Sequence, residues 1–341
     1  MESRKVQQVG YSTLSVSLPR NWVKDIGLKP GDLVVLLQEK DGSLKLMPST
    51  LAERKEEVKE FFINSDLCDE EGMLERLIVG NYILGRDIIR IISSKRIKST
   101  HIEEVRDILR RLIGLGIVEE TPSQIVLQCS IDPTKFQIDM LLRRLSVIAS
   151  TMLTETTQAL VERNSELAKD AILREDEADM VYWLALRLVF SAQRIRSIAE
   201  KIGIEDPLQI LHYGLTLVYL ELIADYTEKI AKRAISFEEY KDKVNEHAMV
   251  MISNISGLAH AIFQKATDCF FSGDIKIANS VLEARKVVKM EEDRLMRELP
   301  EIPHLRAIAL CLTRIADRGA GIAVIAINRA LEKPSKIFSA Y

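Results

Sequence analysis

From Asp132 to Leu331 apolar residues recur at steps of three and four almost without interruption, the spacing that lines one face of an α-helix. Breaks fall near Asn164, across Gly203 to Pro207, near Ser236, at Ser272-Gly273-Asp274 and from Leu299-Pro300 to Pro303. They cut the stretch into six predicted helices, at about 134–163, 165–200, 207–234, 237–271, 274–298 and 303–331. Each is long and each connection short, so neighbours should pack antiparallel.

The helices divide into three and three. Ile223-Ala224-Asp225 followed by Ile230-Ala231 returns as Ile315-Ala316-Asp317 followed by Ile322-Ala323, an offset of 92 residues. His212 and His304 fall in the same register. Three-helix units that cannot each bury both faces should stack on one another. Gly319-Ala320-Gly321 lies inside the last helix and reads as small residues for close helix contact.

Composition agrees with a helical chain. Apolar residues make up 47% and charged residues 28%, aromatics only 6%. At 341 residues, two or three domains are expected. The net charge of -3 leaves any nucleic-acid contact to a local basic patch. The four cysteines are scattered and form no CxxC pair, so buried thiols are expected rather than a zinc ribbon. The Met-Glu-Ser-Arg-Lys-Val start has no apolar signal run. Arg314, Asp317, Arg318 and Arg329 interrupt the apolar 307–331 stretch, which argues against a membrane span. A soluble, cytoplasmic protein is expected.

Residues 1–48 differ from the rest. Ser12 to Leu18 alternates as a strand would, with Leu14, Val16 and Leu18 on one face, and Pro19 ends it. Arg20 to Ile26 predicts a short helix closed by Gly27. Lys29-Pro30-Gly31-Asp32 is a turn. Leu33–Gln38 and Leu44–Met47 are strands joined at Asp41-Gly42, a two-residue hairpin signal.

Between 49 and 131 the pattern is weaker. Leu51–Phe62 predicts a charged helix, Met73–Gly85 a second and Asp87–Ile92 a strand. His101–Ile113 predicts a helix with Thr100 as N-cap and Glu103 completing a capping box. Ile117–Glu119 and Gln124–Cys129 should pair across Thr121-Pro122-Ser123. This is a small α/β connector.

Two resemblances follow from these residues. Gly10-x-Ser-Thr-Leu-Ser-Val-Ser-Leu-Pro19, then Trp22, then Ile26-Gly-Leu-Lys-Pro-Gly-Asp32, resembles the SpoVT/AbrB-type domain over residues 4–48. That family forms a swapped-hairpin dimer and binds DNA through basic residues. Glu221-Leu-Ile-Ala-Asp225-Tyr-Thr-Glu-Lys-Ile-Ala231 resembles the E/D-x-x-x-D segment of the PhoU family, a duplicated three-helix bundle, and the likeness covers about 132–331. The two together are similar to archaeal phosphate-uptake regulators. The resemblance implies a mainly α fold, with two stacked three-helix bundles (132–235 and 236–341) behind a swapped-hairpin β domain (1–48) and a connector (49–131). It also implies a phosphate-responsive transcriptional regulator. A pure adaptor for a phosphate ABC transporter subunit, using the β domain only to form a homodimer, is the competing expectation.

The acidic motif has a logic of its own. Carboxylates at i and i+4 share one helical face, with Cβ atoms roughly 5–6 Å apart, and repel unless a cation intervenes. Glu221 and Asp225 make such a pair, and Glu175, Asp176 and Asp179 offer another on the preceding helix. Antiparallel packing would bring the two together. Hard oxygen ligands of this kind suit Mg, Mn or Fe, with Zn not distinguishable. A lone pair of this spacing is ordinarily a solvated face. In the second half Thr313 stands in the place of Glu221, and only Asp317 is kept on that helix. His212 stands half a turn off the Glu221 face and roughly 13 Å along the axis, which argues against a shared metal and for a capping or core-edge role. His101, His247, His260 and His304 show no ligand spacing and read as structural or exposed.

In residues 1–50, seven Lys and Arg face five Asp and Glu. Arg4 and Lys5, in the place of the family's basic arm, are the first candidates for DNA contact, and Arg20 and Lys24 on the short helix the second. A two-fold dimer would double that patch at a fixed spacing. No Gly-rich phosphate loop, GxSxG or HExxH occurs, so an enzyme is not expected.

Overall fold

The computed structural model describes residues 3–38, 42–49, 60–236, 244–335 and 337–339. It divides into two compact units, Met1–Lys59 and Glu60–Tyr341.

In the first unit, strand β1 (Gln7–Val9) pairs antiparallel with β2 (Thr13–Ser15). The predicted single strand over Ser12–Leu18 is therefore shorter than expected. The chain folds back at Gly10, whose φ of 69° is a left-handed value that glycine adopts without strain. Helix α1 (Arg20–Ile26) follows Pro19 and ends at Gly27, also left-handed, whose amide bonds the Val23 and Lys24 carbonyls. Strands β3 (Val34–Gln38) and β4 (Leu44–Pro48) form a second antiparallel hairpin. Its turn includes Gly42 at a φ of 81°, while Asp41 lies outside the described residues.

The second unit opens with a four-stranded sheet in the order β5-β6-β8-β7. These strands are β5 (Glu60–Asn64), β6 (Ile88–Ile92), β7 (Leu115–Thr121) and β8 (Gln124–Cys129). The predicted helix over Leu51–Phe62 fails at its end, because Glu60–Asn64 is a strand parallel to β6; residues 51–59 lie outside the described residues. Phe61 and Ile63 alternate onto the same face as Ile89 and Ile91, and that two-residue period was masked by the charged run before it. Helices α2 (Met73–Ile83) and α3 (Ser99–Leu109) cover that face, burying Leu74, Ile78, Tyr82, Val105 and Ile108 with Ile89, Ile91, Ile125 and Leu127. Thr100 is not the N-cap: α3 starts one residue earlier, after Lys98, with no side-chain cap.

Six long helices follow, with one short piece between. The first bundle is α4 (Ile138–Glu162), α5 (Ser165–Arg194) and α7 (Pro207–Ser236). The helix predicted over 165–200 breaks at Ile195, whose extended backbone separates α5 from α6 (Arg196–Lys201). The second bundle is α8 (Glu246–Ser272), α9 (Ile275–Glu298) and α10 (Pro303–Ala330). Asn164 and Asp274 cap α5 and α9 by accepting from amides in the first turn. The start expected for α8 at 237 falls among residues outside the description. Within each bundle the three helices pack on one another, and α7–α10 and α4–α8 contacts join the two bundles around a single core.

The second unit also binds its sheet to its helices. Arg187 of α5 is almost wholly buried and donates to the Tyr82 carbonyl (2.7 Å), the Arg86 carbonyl (3.0 Å) and Asp87 Oδ1 (2.7 Å). Such a buried guanidinium is stable only because several acceptors replace its water.

Gly319 and Gly321 let α10 approach two neighbours. A Cβ on Gly319 would lie 2.9 Å from Ile262 Cγ2 and 3.4 Å from the Phe263 backbone of α8. One on Gly321 would lie 2.7 Å from the Tyr219 ring of α7. Gly319→Val should therefore lower stability by about 1–3 kcal/mol through overpacking. Gly257→Ala on α8, where a Cβ meets nothing within 4 Å, should raise it by about 0.5–1 kcal/mol. Urea unfolding of the two variants checks both signs.

Candidate functional site

The candidate site stands on the facing helices α5 and α7. Glu175, Asp176 and Asp179 follow one another along α5, and Glu221 and Asp225 along α7. Packing of α5 on α7 brings the two sets within electrostatic reach, as their spacing predicts. Glu228, three residues beyond Asp225 and on the same face, belongs to the group; its i, i+3 spacing was the signal for it.

The charge is crowded. Burial, then Asp179, then Glu228 and Asp225, push the Glu175 carboxyl up to about 7. Burial, then Asp225 and Asp179, push Glu221 up to about 7, against the pull of Lys229. Burial also raises Asp179, although Arg111 opposes the shift. Tyr182, beside them on α5, is pushed up to about 12 by burial and by the nearby acids.

Cations of the chain itself sit among these acids. Arg111, just after α3, donates from Nη1 to Asp179 Oδ2 (3.1 Å) and from Nη2 to Glu75 Oε1 (2.9 Å). Lys229 lies 3.3 Å from Asp225 Oδ2, and Lys232 2.5 Å from Glu228 Oε1. Neither Arg111 nor Glu75 was legible as a site residue, because nothing local says which helix the end of α3 meets. Among the described residues no group of three or more His, Cys, Asp and Glu side chains is arranged to hold a metal ion. The donor chemistry suits a hard cation, but Asp179, Asp225 and Glu228 are each paired with Arg111 or a lysine.

The second half is built differently. Asp317 is bonded by Arg285 Nε of α9 and lies 3.4 Å from Arg314 Nη1. Thr313 is buried and donates to the Leu310 carbonyl of its own helix.

Three of the histidines bond within the fold. His212 Nδ1 lies 2.8 Å from Glu332 Oε1 at the bundle edge, and His101 Nε2 3.1 Å from the Cys68 carbonyl. His260 bonds Ser150 Oγ (2.9 Å) in a groove of about 380 Å³ between α4 and α8. Thr154 and Thr157, which line that groove, spend their hydroxyl protons on carbonyls of their own helix.

The candidate DNA-contact residues occupy the first unit. Arg4, Lys5, Arg20 and Lys24 are exposed. Arg4 Nη1 donates to Ser17 Oγ at 3.0 Å, which holds the basic arm against the segment leading into α1. Arg20 and Lys24 are four residues apart on α1 and share one face.

A pH dependence follows from the two raised glutamates. Their folded values near 7 stand above the unfolded 4.5, so the fold holds protons that the unfolded chain has released. That contribution is complete below pH 4.5 and is lost as pH rises through about 7. Glu175→Gln and Glu221→Gln should each raise the thermal midpoint at pH 8 and leave it unchanged at pH 4. Calorimetry at the two pH values checks this; a gain of equal size at both would contradict it.

No curated protein matches the chain. Among solved structures, PhoU from Pseudomonas aeruginosa is similar at 22% identity over 56% of this chain and 93% of that one, with a TM-score of 0.49. Residues 142–234, which span α4, α5 and α7, match the family described as PhoU domain. Residues 7–53 match the family described as antidote-toxin recognition MazE, bacterial antitoxin. The chain thus carries a PhoU domain in its first helical bundle and a MazE/AbrB-like domain at its N-terminal end.

Proposed function

We propose that this chain is a cytoplasmic, non-enzymatic regulator that answers to phosphate supply and controls phosphate uptake by binding DNA. The observation that carries this reading is the pairing of a PhoU domain with a MazE/AbrB-like domain whose apolar side chains have no cover in one copy. Among the described residues of the first unit only Pro48 is buried, and every Leu, Ile, Val, Met, Tyr and Trp side chain is at least partly exposed. Tyr11, Leu14, Leu33 and Leu36 are each more than 60% exposed. A unit this small without a core is unstable alone, and exposed apolar surface on that scale marks an interface. A second copy is the natural cover, because the same side chains are then buried twice. The dimer sets two copies of Arg4, Lys5, Arg20 and Lys24 at a fixed spacing, which suits the phosphates of a duplex. Phosphate enters through the PhoU domain alone; no residue of the chain names it.

One observation favours the adaptor as a second reading. Leu208, Leu211, Leu215 and Val218 run along one exposed face of α7. The same helix is the one described segment long and apolar enough to cross a membrane, by length and composition. Its packing in the bundle makes a docking face for another protein, such as a transporter subunit, the better account of that stripe.

Sedimentation tests the dimer that both readings share, and DNA binding separates them. The full chain should sediment as a dimer, and Leu36→Glu should shift it toward monomer. Gel shifts on genomic fragments should weaken steeply with salt. Arg4→Ala with Lys5→Ala should reduce binding by roughly tenfold or more at low salt. A dimer that binds no DNA at low salt would favour the adaptor.

A further inference from the structure

We propose that Arg111 is the resident cation of the first-half acidic site, standing where a metal ion would stand and tying the connector sheet to the helical bundle through it. Three observations support this. Arg111 comes from the sheet portion of the fold and reaches Asp179 on α5 while its other terminal nitrogen holds Glu75 on α2. One guanidinium thus spans the joint with a carboxylate on either side. Arginine suits this better than lysine, because its planar fork presents several donors at once.

The second half repeats the device by another route. α5 begins at Ser165 and α9 at Ile275, so Glu175 and Arg285 each occupy the eleventh position of their helix. In the first half that position adds a negative charge facing Asp225. In the second it supplies the guanidinium that bonds Asp317, the repeat equivalent of Asp225. The second site therefore carries its cation internally. The first, with acids at both places, keeps only an ammonium of its own bundle, Lys229, beside Asp225 and draws its guanidinium, at Asp179, from the connector.

Charge balance points the same way. The carboxylates of Glu175, Asp176, Asp179, Glu221, Asp225 and Glu228 share this face with only Arg111, Lys229 and Lys232 as paired cations. The site holds more acid than base, so loss of Arg111 would leave Asp179 facing several carboxylates with no strong counter-charge. A divalent cation and Arg111 are then alternatives at Asp179. The exchange of one for the other would free the segment after α3 from the bundle.

The test uses the full chain with Mn²⁺ as probe. Arg111→Met should bind Mn²⁺ roughly tenfold or more tightly than the wild type, read from the free-ion electron spin resonance signal. Without metal, Arg111→Met should also exchange its amide hydrogens faster across residues 99–114, while Arg285→Met leaves that segment unchanged. Equal Mn²⁺ affinity in wild type and Arg111→Met, or unchanged exchange at 99–114, overturns the proposal. Should Arg111→Met not fold, Arg111→Lys carries the test: one ammonium cannot span both carboxylates, so exchange should again rise, and no rise overturns it.

Discussion

The contact between α7 and α10 is the constraint on which the helical unit depends. Each is the third helix of its bundle, and each must satisfy its own two partners and the other bundle. Ala224 on α7, and Ala316 and Ala323 on α10, are buried in the shared core beside their isoleucines, while Ala231 packs with Ala159, Ala168 and Ala171 of α4 and α5. Small side chains at these steps allow the two helices to come close without voids. Gly319 and Gly321 extend the same solution to the α8 and α7 faces of α10. Once that seam is fixed, Asp225 and Asp317, each directly after a buried alanine, lie beside it with their carboxylates partly exposed. The acidic positions are thus a consequence of the packing.

Much of this architecture was legible in the residues. Long helices announce themselves by period, and Asn164, Gly203, Gly273 and Pro303 mark where the period stops. The Ile-Ala-Asp repeat gave the duplication, because a buried seam used twice asks for the same residues twice. The misses have local causes. Glu60–Asn64 followed a run of charges that imitates a helix, and its strand character depends on pairing with β6, a distant partner. Thr100 has the right chemistry for a cap but lies within the first turn of the helix, whose N-cap position is taken by Lys98. Ile195 breaks a helix with no glycine or proline to announce it.

The site was half legible for the same reason. Intrahelical spacing put Glu175 with Asp179, and Glu221 with Asp225, and packing of α5 on α7 joined the pairs. Spacing says nothing about what the rest of the fold brings to that face. Arg111 is nearly seventy residues from Asp179 in sequence. A sequence of acids without visible bases reads as a place for a metal; the folded chain supplies a guanidinium and two ammonium groups there. Conversely, Asp317 looked like the weaker half of a pair, yet Arg285 gives it a full ionic partner on the neighbouring helix.

Two of the ties between sheet and bundle differ in kind, a third being Arg194 of α5 at the Leu84 carbonyl. Arg187 is buried and holds two backbone carbonyls as well as Asp87, so no exposed anion or cation can compete for it at low cost. Arg111 is about one-third exposed and holds carboxylates alone. Its bond is the one that a change of charge at the bundle surface can strengthen or weaken. A permanent bolt beside an adjustable one lets the end of α3 respond while the sheet stays attached. Under the proposed exchange at Asp179, a change of charge on α5 reaches the segment after α3 through a single side chain.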